Sequence, residues 1–358
     1  MNSNPAQALH AAGQSVWYDN ISRELIQSGE LKRLVNEWGV RGLTSNPSIF
    51  DAALKEGDLY DLQIASLKGA SITTSQVFEE LALSDIGDAA DLLKPIYDES
   101  NGEDGYCSIE VSPTLARDTK GTIVEGKRLY SRLERKNIMV KIPGTQEGLP
   151  AIRACLEAGI NINVTLLFSV ENYIQVAQTY CEALSARLER GESISEIRSV
   201  ASFFVSRVDV DIDSKLEKAA GGRFGIANSV LAYKAYQDIF ESPKFDKLRK
   251  AGAAVQRPLW ASTGTKNPEY RDVLYVEELI GADTVNTLPH KTLAAFVDHG
   301  KVKKDSIMNG VEAAAELREA ITALGINIPE SLEKLQDVGV DKFVASFDAL
   351  HASLEAKL

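Results

Sequence analysis

Apolar and polar positions along the chain follow two rhythms. Eight short runs rich in β-branched and aromatic residues end in polar ones: SVWYDN at 15 to 20, VRGLTSN at 40 to 46, GYCSIEVS at 105 to 112, IMVKIP at 138 to 143, NINVTLLFS at 161 to 169, SVASFFVSR at 199 to 207, RPLWAST at 257 to 263 and DTVNTLP at 283 to 289. Between them apolar residues recur at helical spacing, most clearly in SRELIQSGELKRLVNEWG, TLARDTKGTIVEGKRLYSRLERKN and VENYIQVAQTYCEALSARLERG. Strand alternating with helix predicts a parallel sheet, and eight such units close a barrel. The expected fold is therefore α/β, a (β/α)8 TIM barrel. Uneven gaps predict two or three inserted helices between residues 47 and 104, after strand 2, and further helices between 210 and 256, before strand 7. A helical extension over about 301 to 358, with SLEKLQDV and DKFVASFDALHASLEAKL, is expected on the outside or over one rim. No linker, low-complexity tract or repeat divides the chain, so a single domain over 1 to 358 is expected.

Charge narrows the partners. Lys and Arg number 39 against 51 Asp and Glu, a net charge of −12, and no basic cluster lacks interleaved acids. A nucleic-acid partner is not expected, and any phosphate bound is small. Hydrophobic content of 44% and charged content of 25% match globular averages. The apolar runs are too short to span a bilayer, so no membrane partner is expected. The segment MNSNPAQALHAAGQS lacks the basic and apolar regions of a secretory signal, which makes the cytoplasm the expected compartment. Cys107, Cys155 and Cys181 are odd in number and widely spaced, as for reduced thiols.

Chemistry in such a barrel collects at the C-terminal ends of the strands. Those ends carry Asp19; Thr44, Ser45 and Asn46; Glu110; Lys141; Asn163 and Thr165; Ser202 and Arg207; Ser262, Thr263 and Lys266; and Asn286 with Thr287. Ser, Thr and Asn are also ordinary turn formers, so singly they decide little. Lys141 stands out because it lies inside the apolar run Ile138, Met139, Val140, Ile142. At the unperturbed pKa of about 10.4, roughly one lysine in 2,500 is neutral at pH 7, and desolvation raises that fraction. Two readings stand for it: an amine that forms a Schiff base with a carbonyl substrate, or a buried partner of Glu110 or Asp19. Those two acids, in otherwise apolar strands, offer acid and base groups for imine chemistry or simply offset the lysine. Arg207 and Lys266 lie beyond strands 6 and 7, where barrels commonly bind phosphate. For Arg207 the alternative is a surface cation balanced by Asp209 and Asp211.

Other motifs are set aside on physical grounds. GTIVEGK at 121 to 127 resembles a phosphate-binding loop, but Arg128 replaces the required Ser or Thr and the segment reads as mid-helix. No GxGxxG follows a strand, and His10, His290, His299 and His351 are scattered. Neither a metal site nor a nicotinamide or flavin cofactor is expected from these residues.

Taken together, Trp17-Tyr18-Asp19, GLTSNPSIF at 42 to 50, VKIPGT at 140 to 145, NVTLLFS at 163 to 169, SFFVSRVD at 202 to 209, WASTGTKNP at 260 to 268 and DTVNTLP at 283 to 289 resemble the transaldolase family, in order and over almost the whole chain. The resemblance implies a cofactor-free enzyme of the pentose phosphate pathway that moves a dihydroxyacetone unit between sugar phosphates. The donors are sedoheptulose 7-phosphate or fructose 6-phosphate, and the acceptors glyceraldehyde 3-phosphate or erythrose 4-phosphate. It implies Lys141 as the Schiff-base lysine, Asp19 as the base in carbon–carbon cleavage, and Glu110 with Thr165 as holders of a water. Asn46, Asn163 and Ser202 correspond to groups on the dihydroxyacetone hydroxyls, and Arg207 with Lys266 to the phosphate grip. Many family members carry arginine where this chain has Lys266. Phe204 stands where fructose 6-phosphate aldolases carry a tyrosine near this position, and its ring offers no proton, which favours transfer over plain cleavage. A monomer or a homodimer is expected.

Overall fold

The computed structural model describes residues 4–68, 72–216 and 223–358. Eight parallel strands close a barrel in sequence order: β1 Gln14–Tyr18, β2 Val40–Leu43, β3 Tyr106–Glu110, β4 Ile138–Pro143, β5 Ile162–Leu167, β6 Ser199–Phe204, β7 Gln256–Ala261 and β8 Thr284–Leu288. All eight predicted runs are strands. Several stop earlier than the runs do, because the polar residues at their ends belong to the next helix. The Asn46 side chain accepts the Ile49 N–H to cap Pro47–Lys55, and that of Ser169 accepts the Asn172 N–H to cap Val170–Glu189. Arg207 likewise lies in the first turn of Ser206–Asp213.

The gap after β2 holds three helices, Pro47–Lys55, Asp61–Leu67 and Thr74–Glu99, and Phe224–Phe240 and Pro243–Lys250 precede β7. The stretch 22 to 39, read as one helix, is two, Arg23–Gln27 and Glu30–Trp38. Gly29 separates them at φ 82°, a left-handed conformation that favours glycine. The phosphate-loop look-alike sits within the helix Thr119–Leu133. The two tail patterns join into one helix, Ile328–Glu355, which contacts Pro47–Lys55 and β5 and so lies over the rim where the strands end.

Alternation along each strand points successive side chains outward beneath the helices and inward into the barrel. Outward-facing Phe203 and Trp260 pack edge to face at 6.3 Å beneath the helices, with Tyr173 against Phe203. Inside, Trp17 fills the space over Gly42; a Cβ there would lie 2.6 Å from the indole. β5 departs from regularity after Thr165, where Leu166 takes φ 59° and the register to β6 shifts. Its turned carbonyl accepts from Gln336 Nε2 of the C-terminal helix at 2.9 Å.

The opposite mouth of the barrel is tied by one acid. Asp104, just before β3, accepts from Ser15 Oγ at 2.7 Å, Trp17 Nε1 at 3.2 Å, Arg41 Nε at 2.8 Å and Arg257 Nη1 at 3.2 Å. Burial pushes its pKa up, but Arg257, Ser15 and Arg41 bring the net value below the ordinary carboxylate range. Asp104→Ala strips both arginines of this buried partner and is expected to lower unfolding stability by about 3–5 kcal/mol, measured by urea titration. A folded pKa depressed below the unfolded value of about 3.9 makes this contribution complete at neutral pH and lost as pH falls through the folded pKa. The wild type and Asp104→Ala should therefore converge in stability only in strong acid.

Candidate active site

Adjacent strands set Glu110, Lys141 and Asn163 side by side, since Glu110 pairs in register with Lys141 and Lys141 with Asn163. In a parallel ladder such partners face the same side. The Lys141 side chain is 7% exposed, and Nζ donates to the Ser45 carbonyl at 3.0 Å and to Glu110 Oε2 at 3.4 Å. The amine is thus buried and held by the carboxylate that the sequence offered as its partner. The other Glu110 oxygen, Oε1, is buried and has no hydrogen bond among the described residues. Burial raises the Glu110 pKa, against the pull of Lys141 and with a push from Asp19.

Asp19 follows β1, its N–H donating to the Leu288 carbonyl at 2.9 Å. Its Oδ1 accepts from Thr44 Oγ1 at 2.6 Å, and Thr44 Oγ1 lies 2.6 Å from Thr287 Oγ1. Burial raises the Asp19 pKa, opposed by the Thr44 bond and by the charges of Lys141 and Arg207. On β5, Thr165 is fully buried and its hydroxyl has no hydrogen-bond partner among the described residues. Asn163 is held by side chains at both polar atoms: Nδ2 donates one N–H to Ser108 Oγ at 3.1 Å and Oδ1 accepts from Ser202 Oγ at 2.7 Å. Asn46 spends its oxygen on the helix cap and on Ser48 Oγ at 2.6 Å.

The Phe204 and Phe168 rings pack with centres 5.0 Å apart, tilted by 32°, and the Arg207 guanidinium lies 5.0 Å from the Phe204 ring centre. Arg207 Nη1 is buried and has no hydrogen bond among the described residues. Burial pulls the Arg207 pKa down against the pull of Asp19. The acids that follow it do not balance it: Asp209 accepts from Tyr275 OH at 2.6 Å and from the Gly225 N–H, and Asp211 pairs with Lys215. A half-buried guanidinium with an idle N–H group suits an oxyanion. Lys266 differs. It is exposed on the loop after β7, whereas the other predicted site residues are buried or half-buried.

Three participants escaped the sequence reading of the site. Ser108 could have been found by alternation, two residues before Glu110 on the same face. The Ser45 carbonyl carries no side-chain signal. Phe343, whose ring centre is 5.5 Å from Lys141 Nζ, comes from the C-terminal helix some 200 positions away. A cavity of about 660 Å³ opens beside Glu110, lined also by Ser45, Asn46, Ser112, Phe347 and His351. Among the described residues no group of three His, Cys, Asp or Glu is placed to hold a metal ion, and no helix is long and apolar enough to cross a membrane.

A buried amine bonded to one carboxyl, and close enough to a second to influence its charge, both of raised proton affinity, is equipped to add to a carbonyl and to move protons around the adduct. The profile of the family described as transaldolase/fructose-6-phosphate aldolase matches residues 16–354. The chain belongs to that family. It is 46% identical to a transaldolase of Trichodesmium erythraeum over 375 residues, covering 100% of this chain and 98% of the relative. It is 47% identical to transaldolase 2 of Nostoc sp. (97% and 95% covered) and 46% identical to the transaldolase of Mycolicibacterium smegmatis (100% and 99%). The protein is thus an enzyme, a transferase of the transaldolase type.

Proposed function

We propose that the enzyme transfers a dihydroxyacetone unit from sedoheptulose 7-phosphate or fructose 6-phosphate to glyceraldehyde 3-phosphate or erythrose 4-phosphate, through an imine on Lys141. The observation that carries this reading is the amine itself, 7% exposed and 3.4 Å from a carboxyl oxygen. In this reading Lys141 adds to the donor ketone, and Glu110 with the idle Thr165 hydroxyl holds the water that is lost and regained as carbinolamine becomes imine. Asp19 takes the proton from the donor hydroxyl as the carbon–carbon bond breaks, and the aldose leaves. The dihydroxyacetone carbanion, delocalised into the imine, then attacks the acceptor. Asn46, Asn163 and Ser202 orient its hydroxyls; Arg207 and Lys266 hold the phosphate. The role of Lys266 requires its loop to bring it to the ligand. A place in the non-oxidative pentose phosphate pathway, in the cytoplasm, follows from these substrates; three free thiols suit a reducing compartment.

Incubation with fructose 6-phosphate and borohydride tests the reading. A sugar fragment fixed on Lys141 is the expected mass shift, and an unlabelled Lys141 would refute the imine. Phe204 favours transfer over the lyase alternative, and omitting the aldose acceptor separates them: transfer stalls, cleavage continues. Arg207→Ala is expected to raise KM for phosphorylated substrates about 10–100-fold with a smaller change in kcat. Steady-state kinetics with an unchanged KM would rule out its part in the grip.

A further inference from the structure

The C-terminal helix Ile328–Glu355 is fastened across the rim at several points. Gln336 Nε2 donates to the Leu166 and Gly144 carbonyls at 2.9 and 3.2 Å and to Asn172 Oδ1 at 3.0 Å. Asp337 pairs with Arg117, Ser331 accepts from Lys215, and Ser353 Oγ donates to Asp51 at 2.8 Å. A helix held in this way fixes the position of what it carries. Phe343 projects from it to 5.5 Å from Lys141 Nζ and is 7% exposed. The amine therefore has a polar side, the Ser45 carbonyl and Glu110, and an aromatic cover that neither donates nor accepts a proton. One turn further on, Phe347 lines the cavity of about 660 Å³ that also reaches Glu110, with polar Ser112 and His351 in its wall. Space that can hold water thus lies beside the carboxyl bonded to the reacting nitrogen.

We infer that Phe343 is a specificity-determining residue: its ring keeps solvent off the enamine left on Lys141 once the aldose has gone, and so commits that intermediate to transfer rather than to release of free dihydroxyacetone. The inference rests on the imine chemistry proposed above. The side reaction it suppresses consumes one water. The enamine carbon takes a proton from water, which turns the enamine into an iminium ion. The hydroxide left behind adds to the iminium carbon, and collapse of the carbinolamine breaks the C–N bond. The carbinolamine hydroxyl proton and the C–N electron pair both pass to nitrogen, restoring the Lys141 amine, and dihydroxyacetone departs. Closing a site against water is a general way to prevent hydrolysis of a reactive intermediate.

The test measures free dihydroxyacetone released from fructose 6-phosphate without acceptor, divided by transfer from the same donor to erythrose 4-phosphate. Phe343→Ala is expected to raise this ratio about tenfold, with one solvent deuterium on carbon in the product made in D2O, and Phe343→Leu, which restores apolar bulk, to return it to within about twofold of wild type. A merely structural role would lower both rates together and leave the ratio unmoved. An alanine ratio within twofold of wild type, with Lys141 still labelled by borohydride, overturns the inference; a wild-type Lys141 that resists labelling refutes the imine reading instead. If the alanine chain does not melt cooperatively, Phe343→Val supplies the same ratio, and a wild-type value there overturns the inference equally.

Discussion

Lys141→Met is expected to reduce transfer by about 10⁴-fold or more and to abolish the borohydride-dependent mass shift. Removing a covalent nucleophile removes the route, not one contribution to it. The methionine keeps the length and apolar stem of the side chain but has no nitrogen to attack a carbonyl. Its effect on the fold is expected to be small. Glu110 loses the cation that opposes its raised pKa and takes up a proton instead of remaining a buried, unpaired charge. A urea midpoint close to wild type, together with lost turnover, is the signature of a chemical role. Retained turnover, followed by coupled assay, would overturn the assignment of Lys141.

Asp19→Asn is the second large effect, expected at about 10³-fold in kcat. The amide oxygen can still accept from Thr44 Oγ1, so the local geometry persists, but the group cannot take a proton. Imine formation does not require that step. Fructose 6-phosphate plus borohydride should therefore still label Lys141 in this variant while rapid-quench analysis shows slow release of the aldose. Normal release would remove Asp19 from the cleavage step. The pH profile follows in sign. A base must be ionised to work, and burial raises the Asp19 pKa above the usual carboxylate value. Activity should fall as pH drops through that raised pKa, and Asp19→Asn should remove this group's contribution to the acid limb.

The sequence disclosed the barrel because each strand is buried on both faces and reads as an apolar run, and it disclosed Lys141 because a charge inside such a run is conspicuous. Ends of elements were harder. Asn46 and Ser169 look like strand ends until the N–H groups they cap are seen, and the break at Gly29 shows only in its left-handed φ. For Arg207, sequence proximity pointed the wrong way: Asp209 and Asp211 are near along the chain, yet Tyr275 and Lys215 claim them. Such competition is decided by three-dimensional packing. Phe343 was illegible for a related reason, since an aromatic residue in an amphipathic helix looks like core until the object beneath it is known. Lys266 carries a signal in its motif alone, its side chain exposed on its loop.

The Asp104 cluster has a practical meaning for altering this enzyme. It cross-links β1, β2 and β7 at the floor, and Arg257 extends it to β8 through the Thr284 carbonyl at 2.8 Å. The reacting groups all occupy the other end. Stiffness and chemistry thus reside at opposite poles, so loops above the floor can be reshaped for new acceptors while the keystone beneath them stays untouched.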